Sequence, residues 1–125
     1  MVDNDLIMDH YENPRNLGVI EDPDAEAADI NPVCGDALRL MLKIRDGRIV
    51  DAKYQISGCW GAVAAMSAAS EMIIGMTLPE AEALNRDDFS AALGGLPPSK
   101  LHGSILAADV LQRALASYSQ KHTAR

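Results

Sequence analysis

Aromatic residues are nearly absent from this chain, with one Trp, one Phe and three Tyr among 125 residues. The core must therefore rest on aliphatic side chains and methionine. Cysteine is equally sparse at two residues, which excludes a disulfide framework and leaves thiol or metal-ligand roles suited to a reducing compartment. Basic charge is short as well: 11 Lys and Arg against 18 Asp and Glu give a formal net charge of −7 and a pI of about 4.7. The basic footprint needed for nucleic acid is missing, whereas basic partner proteins and cationic metals are compatible with this balance. Long apolar runs are lacking too. The longest, around Cys59–Ile74, is interrupted by serine and glycine and is too short to cross a bilayer. The opening MVDNDLIMDHYENPRN has no basic region followed by an apolar run, so no secretory signal is expected. These absences point to a soluble cytoplasmic protein, with no membrane and no nucleic acid among its partners.

What is present reads as an ordinary globular chain, 48% hydrophobic and 23% charged, expected to form one domain over 1–125. Asp5–Glu12 suits a short helix that stops before Pro14. Asn13–Asn31, rich in Pro, Asp and Gly, reads as loop with one edge strand near Ala27–Ile30, and its acidic residues as a solvated stretch.

The pattern then turns to period two. Leu38, Leu40, Leu42 and Ile44 alternate with polar or long side chains, as do Val50, Ala52, Tyr54 and Ile56, and Asp46-Gly47 lies between them. A two-residue turn would set Leu42 against Asp51, pairing apolar with polar. A three-residue loop 45–47 with Gly47 left-handed sets Leu42 against Val50 and Leu38 against Tyr54, and is preferred. Either way Cys34 and Cys59 return to the open end of the hairpin.

Beyond Gly58-Cys-Trp-Gly61 the segment Ala62–Gly75 is small and apolar nearly all round, as a buried helix should be. Thr77 with Glu80 makes a capping box. Short helices are expected at Pro79–Leu84 and near Asp87–Leu93. Pro97-Pro98 precede a long last helix with a stripe of Leu101, Ile105, Ala108, Leu111, Leu115 and Tyr118. Strands first and helices after imply an α+β fold: a small antiparallel sheet with helices packed on one face.

Cys34, Asp36, Cys59 and His102 are the candidates for a metal site, since two thiolates, an imidazole and a carboxylate can hold zinc or iron. The hairpin geometry gathers the first three. Spacing alone does not bring His102 to them. Cys59 stands where a strand yields to a helix, and a helix N-terminus favours the thiolate form; Gly35, Gly58 and Gly61 permit close backbone approach. The alternative is that both cysteines are small buried hydrophobes. Met41, Met66, Met72 and Met76 read as core filling, Trp60 as a packing residue or a lid, and His10 and His122 as patternless residues near the chain ends.

Four segments in order carry a resemblance: Asp9-His-Tyr-Glu-Asn-Pro-Arg-Asn-Leu-Gly18, Asn31-Pro-Val-Cys-Gly-Asp36, Gly58-Cys-Trp-Gly61 and Leu96-Pro-Pro-Ser-Lys-Leu-His-Gly-Ser104. Together they resemble the IscU/NifU-type iron–sulfur cluster assembly scaffolds from about residue 5 to 117. The resemblance implies an antiparallel sheet with helices on one face. It also implies a non-enzymatic scaffold that assembles a labile [2Fe-2S] cluster with sulfur from a cysteine desulfurase and passes it to acceptor apo-proteins. By position it implies ligands at Cys34, Asp36, Cys59 and His102 and a third cysteine at 103, where this chain has Gly103.

Three consequences follow from Gly103. The monomer binds zinc or iron through the four remaining ligands; a labile cluster forms with Asp36 and His102 completing the set; or two chains share one cluster as a dimer. The resemblance also implies that Leu96, Pro97, Pro98, Ser99 and Lys100 are recognised by an Hsp70-type chaperone, with serine replacing the family's valine; the alternative is that the two prolines merely start a helix. Rival functions are a zinc hydrolase or deaminase, for which no HExxH or PCxxC pattern is present, and a degenerate scaffold that acts as a metal-binding or regulatory partner of the desulfurase.

Overall fold

The computed structural model describes residues 4–30 and 35–123. Its elements are α1 (Asn4–Glu12), β1 (Ala25–Ile30), β2 (Ala37–Arg45), β3 (Arg48–Ser57), α2 (Trp60–Ile73), α3 (Leu78–Glu82), α4 (Arg86–Ala92), a 3-10 turn at Pro98–Lys100 and α5 (Leu101–Thr123). The three strands form one antiparallel sheet in the order β1-β2-β3. Strands precede the main helices, and α2 and α5 pack on the sheet and on each other, as an α+β sandwich requires.

The hairpin departs from the expected three-residue loop. Its turn is Asp46-Gly47, with φ of 52° and 74°, the paired left-handed geometry of a two-residue type I′ turn. Asp tolerates this conformation and Gly has no side chain to oppose it. The turn pairs Ile44 with Ile49 and Arg45 with Arg48, and an irregularity between Lys43 and Ile44 then shifts the register so that Leu42 opposes Ala52 and Leu40 opposes Tyr54. Leu42 therefore faces neither Asp51 nor Val50. Val50 is the extra residue of a bulge and turns to solvent at 48% exposure, while Ile49 takes the buried place at 0%. The bulge reconciles a tight turn with apolar-on-apolar pairing.

Leu38, Leu40, Leu42, Ala52 and Tyr54 pack with Met66, Ala69 and Ile73 of α2 and with Leu106, Val110, Leu111, Ala114 and Leu115 of α5. The buried face of α5 is broader than the expected stripe: Leu106, Ala107, Val110 and Ala114 are buried, whereas Leu101 is exposed. The helix touches α2 on one flank and the sheet on the other, and so needs an apolar arc wider than one seam. Most of α2 is buried, including Gly61, Ala62, Ala64, Ala65, Ser67, Ala68, Ala69 and Ser70, because α1, α5 and the sheet all press on it. Met41 and Met66 are fully buried, and Met72 and Met76 lie against the core. The Thr77–Glu80 capping box forms as the sequence implies, and Asn85 with Asp88 makes a second one at α4.

The N-terminal stretch is held more firmly than its sequence suggests. Ile7 packs with Ala64, Ala65 and Ala68. His10 is buried, its Nδ1 lying 2.7 Å from Ser67 Oγ. The Arg15 amide also donates to Ser67 Oγ, and Asn16 Nδ2 to Ser70 Oγ. Leu17 bridges to Tyr54, with the Gly18 amide donating to the Tyr54 carbonyl, so the segment runs along β3. His10 is a structural histidine in a polar latch, not the patternless residue its position suggested.

Candidate metal centre

The site lies at the open end of the hairpin. Ala37 and Ser57 form the last pair of the β2–β3 ladder, so the residues flanking that pair, Asp36 and Gly58, come together next. The Asp36 carboxylate is turned inward and is 2% exposed. A Cβ on Gly58 would stand 2.6 Å from Asp36 Oδ1, so only glycine leaves room for the carboxylate there. That carboxylate meets the start of α2, where the Cys59 amide donates to Asp36 Oδ1 at 3.1 Å.

Cys59 is the N-cap residue of α2, in extended conformation, and its side chain makes no capping bond. The thiol instead turns to its neighbours, with Sγ 3.7 Å from Asp36 Oδ2 and 3.4 Å from His102 Nε2. The His102 Nε2 lies 3.1 Å from Asp36 Oδ2. One imidazole nitrogen thus lies between a thiol and a carboxylate, and the three potential ligand atoms fall within 4.8 Å of one another. Nitrogen, sulfur and oxygen donors in one cluster suit a zinc- or iron-type ion. Asp36 is buried, while Cys59 and His102 are half-buried, so the group is supported from within and open on one side.

Of the four candidate ligands, Asp36, Cys59 and His102 are brought together, and Cys34 lies outside the described residues. His102 reaches the group because α5 begins beside the start of α2, which no sequence spacing states. Lys100, just before it, lies over the Trp60 ring with Nζ 5.3 Å from the centroid. Trp60 itself packs against the Ile7 and Leu96 cluster, which favours a packing role. In the Leu96–Lys100 segment, Leu96 is buried and its amide donates to Ser90 Oγ, Pro97 and Lys100 are half-buried, and only Pro98 and Ser99 are exposed. Engaging this segment as an extended peptide would require lifting Leu96 out of the core.

The family model of the NifU-like N terminal domain matches residues 2–125. The chain belongs to that family. Among its relatives, "Iron-sulfur cluster assembly scaffold protein IscU 1" of Archaeoglobus fulgidus is 48% identical over 119 residues, covering 95% of this chain and 78% of the relative. "Iron-sulfur cluster assembly scaffold protein IscU" of Escherichia coli is 39% identical over 129 residues and covers both chains fully. The crystal structure of the N-terminal part of a NifU-like protein from Brucella abortus superposes with a TM-score of 0.78 at 23% identity, over 94% of each chain. That likeness concerns the fold. A further relative, 41% identical over 119 residues, is "Iron-sulfur cluster assembly enzyme IscU" of Drosophila melanogaster. Among the described residues no helix is long and apolar enough to cross a membrane.

Proposed function

We propose that this NifU-like chain is a single-domain, non-enzymatic scaffold for iron–sulfur cluster assembly and transfer, working in the cytoplasm. Its cargo is iron or a labile [2Fe-2S] cluster, with zinc as a competing occupant, held by Cys34, Asp36, Cys59 and His102. The observation that carries this reading is the convergence of the Asp36 carboxylate, Cys59 thiol and His102 imidazole within 4.8 Å, in a chain 48% identical to a relative named as such a scaffold. Sulfur arrives from a cysteine desulfurase, the cargo is held by exchangeable ligands, and acceptor apo-proteins remove it. Harder donors than thiolate suit weak holding, and a carrier must release what it binds. The Leu96–Lys100 segment supplies the handle for an Hsp70-type chaperone. The monomer is the simplest carrier; a dimer bridged by one cluster is the other form.

Gly103 favours a second reading, a degenerate scaffold that binds metal and regulates the desulfurase without assembling clusters. Anaerobic reconstitution with ferrous iron, L-cysteine, a cysteine desulfurase and a thiol reductant that takes the persulfide sulfur to sulfide separates the two, followed by visible absorption and iron and sulfide analysis, with Cys59→Ser alongside. A chromophore with stoichiometric sulfide in the unmodified chain, lost in Cys59→Ser, is the expected result. Desulfurase binding without a chromophore would establish the regulatory reading instead.

A further inference from the structure

Two glycines sit where α5 meets α2. A Cβ on Gly103 would stand 2.7 Å from both the Cα and the amide nitrogen of Ala62 and 2.8 Å from the carbonyl carbon of Gly61. All three are backbone atoms, which no rotamer change can move aside. On the other helix, a Cβ on Gly61 would stand 2.8 Å from Lys100 Cβ. The first turn of α5 therefore lies directly on the first turn of α2. Gly103 follows His102, and Gly61 comes two residues after Cys59. Glycine within a helix is unfavourable relative to alanine, and the close approach of the two helix starts is the contact that compensates for it.

We infer that Gly103 is a positioning residue for the ligand group. Its missing side chain lets α5 seat on Gly61 and Ala62, and this seating holds His102 Nε2 3.4 Å from Cys59 Sγ and 3.1 Å from Asp36 Oδ2. Position 103 is therefore not a vacant ligand position waiting for a thiol. A side chain there pushes α5 off α2 and carries His102 away from Cys59 and Asp36, so a cysteine at 103 costs one ligand while offering another. The inference rests on reading Asp36, Cys59 and His102 as metal ligands, and it is independent of whether a cluster is assembled.

Titration of the metal-free full chain with Co2+, followed through its ligand-field and thiolate charge-transfer absorption, tests it. Gly103→Ala and Gly103→Cys are each expected to weaken Co2+ binding by about tenfold or more while far-UV circular dichroism stays that of the folded chain. In a His102→Ala background, Gly103→Ala should change affinity by less than about twofold, because the group that Gly103 positions is already gone. Gly103→Cys binding Co2+ as tightly as the unmodified chain, with added thiolate absorption, would overturn the inference. So would a full additional loss from Gly103→Ala in the His102→Ala background.

If the position-103 variants do not fold, the unmodified chain decides by nuclear Overhauser contacts between the Gly103 α-protons and the Ala62 amide proton. Their presence supports the seating and their absence refutes it. No Co2+ binding by the unmodified chain overturns the inference together with the ligand assignment. Co2+ binding that the position-103 variants weaken, without cluster formation on reconstitution, supports the inference and overturns the scaffold reading alone.

Discussion

Two histidines lean on α2, and they do different things. His102 meets the helix at its start, where Nε2 lies 3.4 Å from the Cys59 sulfur and 3.1 Å from the Asp36 carboxylate, with its side chain 23% exposed. His10 meets it in the middle, where Nδ1 lies 2.7 Å from Ser67 Oγ and the side chain is 9% exposed. The partners of His102 are a soft and an anionic donor that a metal can recruit. Those of His10 are a hydroxyl, shared with the Arg15 amide, and the outlying Glu71 carboxylate at 3.6 Å. On the proposed function one histidine serves a metal, while the other holds the N-terminal segment down. What separates a ligand from a structural group is the partner set and access to solvent, not residue type.

The largest contrast comes from removing each in turn. His102→Ala should weaken Co2+ or Zn2+ binding by more than the ~10–100-fold lost with an outer-sphere partner, with little change in the urea midpoint. His10→Ala should leave metal affinity intact and lower folding stability by ~2 kcal/mol, since it opens a cavity and leaves the Ser67 hydroxyl with the Arg15 amide in place of two partners. Isothermal titration and urea unfolding on the same two variants would show this crossed pattern. Equal losses of affinity in both would erase the distinction.

How much of this was legible follows from the range of each interaction. The order of elements, the buried helix after Cys59 and the Thr77–Glu80 capping box depend on residues a few positions apart. The sequence pattern stated them correctly. Asp36 and Cys59 were paired by the hairpin, and that survived an error in the register because a shift of two residues preserves the faces of both strands. The bulge at Val50 was missed because it is a compromise between turn and pairing that neither predicts alone. His10 was misjudged because its hydroxyl partner lies 57 residues away, and nothing near His10 announces it. The approach of His102 was implied by family resemblance. Its physical signal is the pair Gly61 and Gly103, small residues at two helix starts.

Acid sharpens the same comparison. Burial, reinforced by the nearby Arg15 guanidinium and opposed by Glu71, lowers the His10 pKa below its ordinary 6.5. The unfolded chain then binds a proton that the folded chain resists. The stability from neutral His10 is fully present above about pH 6.5 and is lost as pH falls below it towards the folded-state value. Urea midpoints should therefore fall between about pH 7.5 and about pH 5.5 in the metal-free chain, and His10→Gln should flatten that slope. A slope unchanged in His10→Gln would assign the acid sensitivity elsewhere.

Glu71 offers the finest cut. Its carboxylate stands 3.6 Å from His10 Nε2 but is 52% exposed, so water and salt screen most of its pull. That pull raises the His10 pKa, against the dominant lowering by burial. Glu71→Gln removes it and should lower the His10 pKa further. The variant should match the unmodified chain at about pH 7.5, where His10 is neutral with or without Glu71, and fall below it at about pH 5.5 by less than ~1 kcal/mol. Imidazole proton shifts of His10 followed by NMR across that range would register the lowered midpoint directly. An upward shift in Glu71→Gln would mean that the carboxylate is not what steadies the protonated latch. The exposure of Glu71 makes the effect small, and its negative charge beside Nε2 fixes its sign.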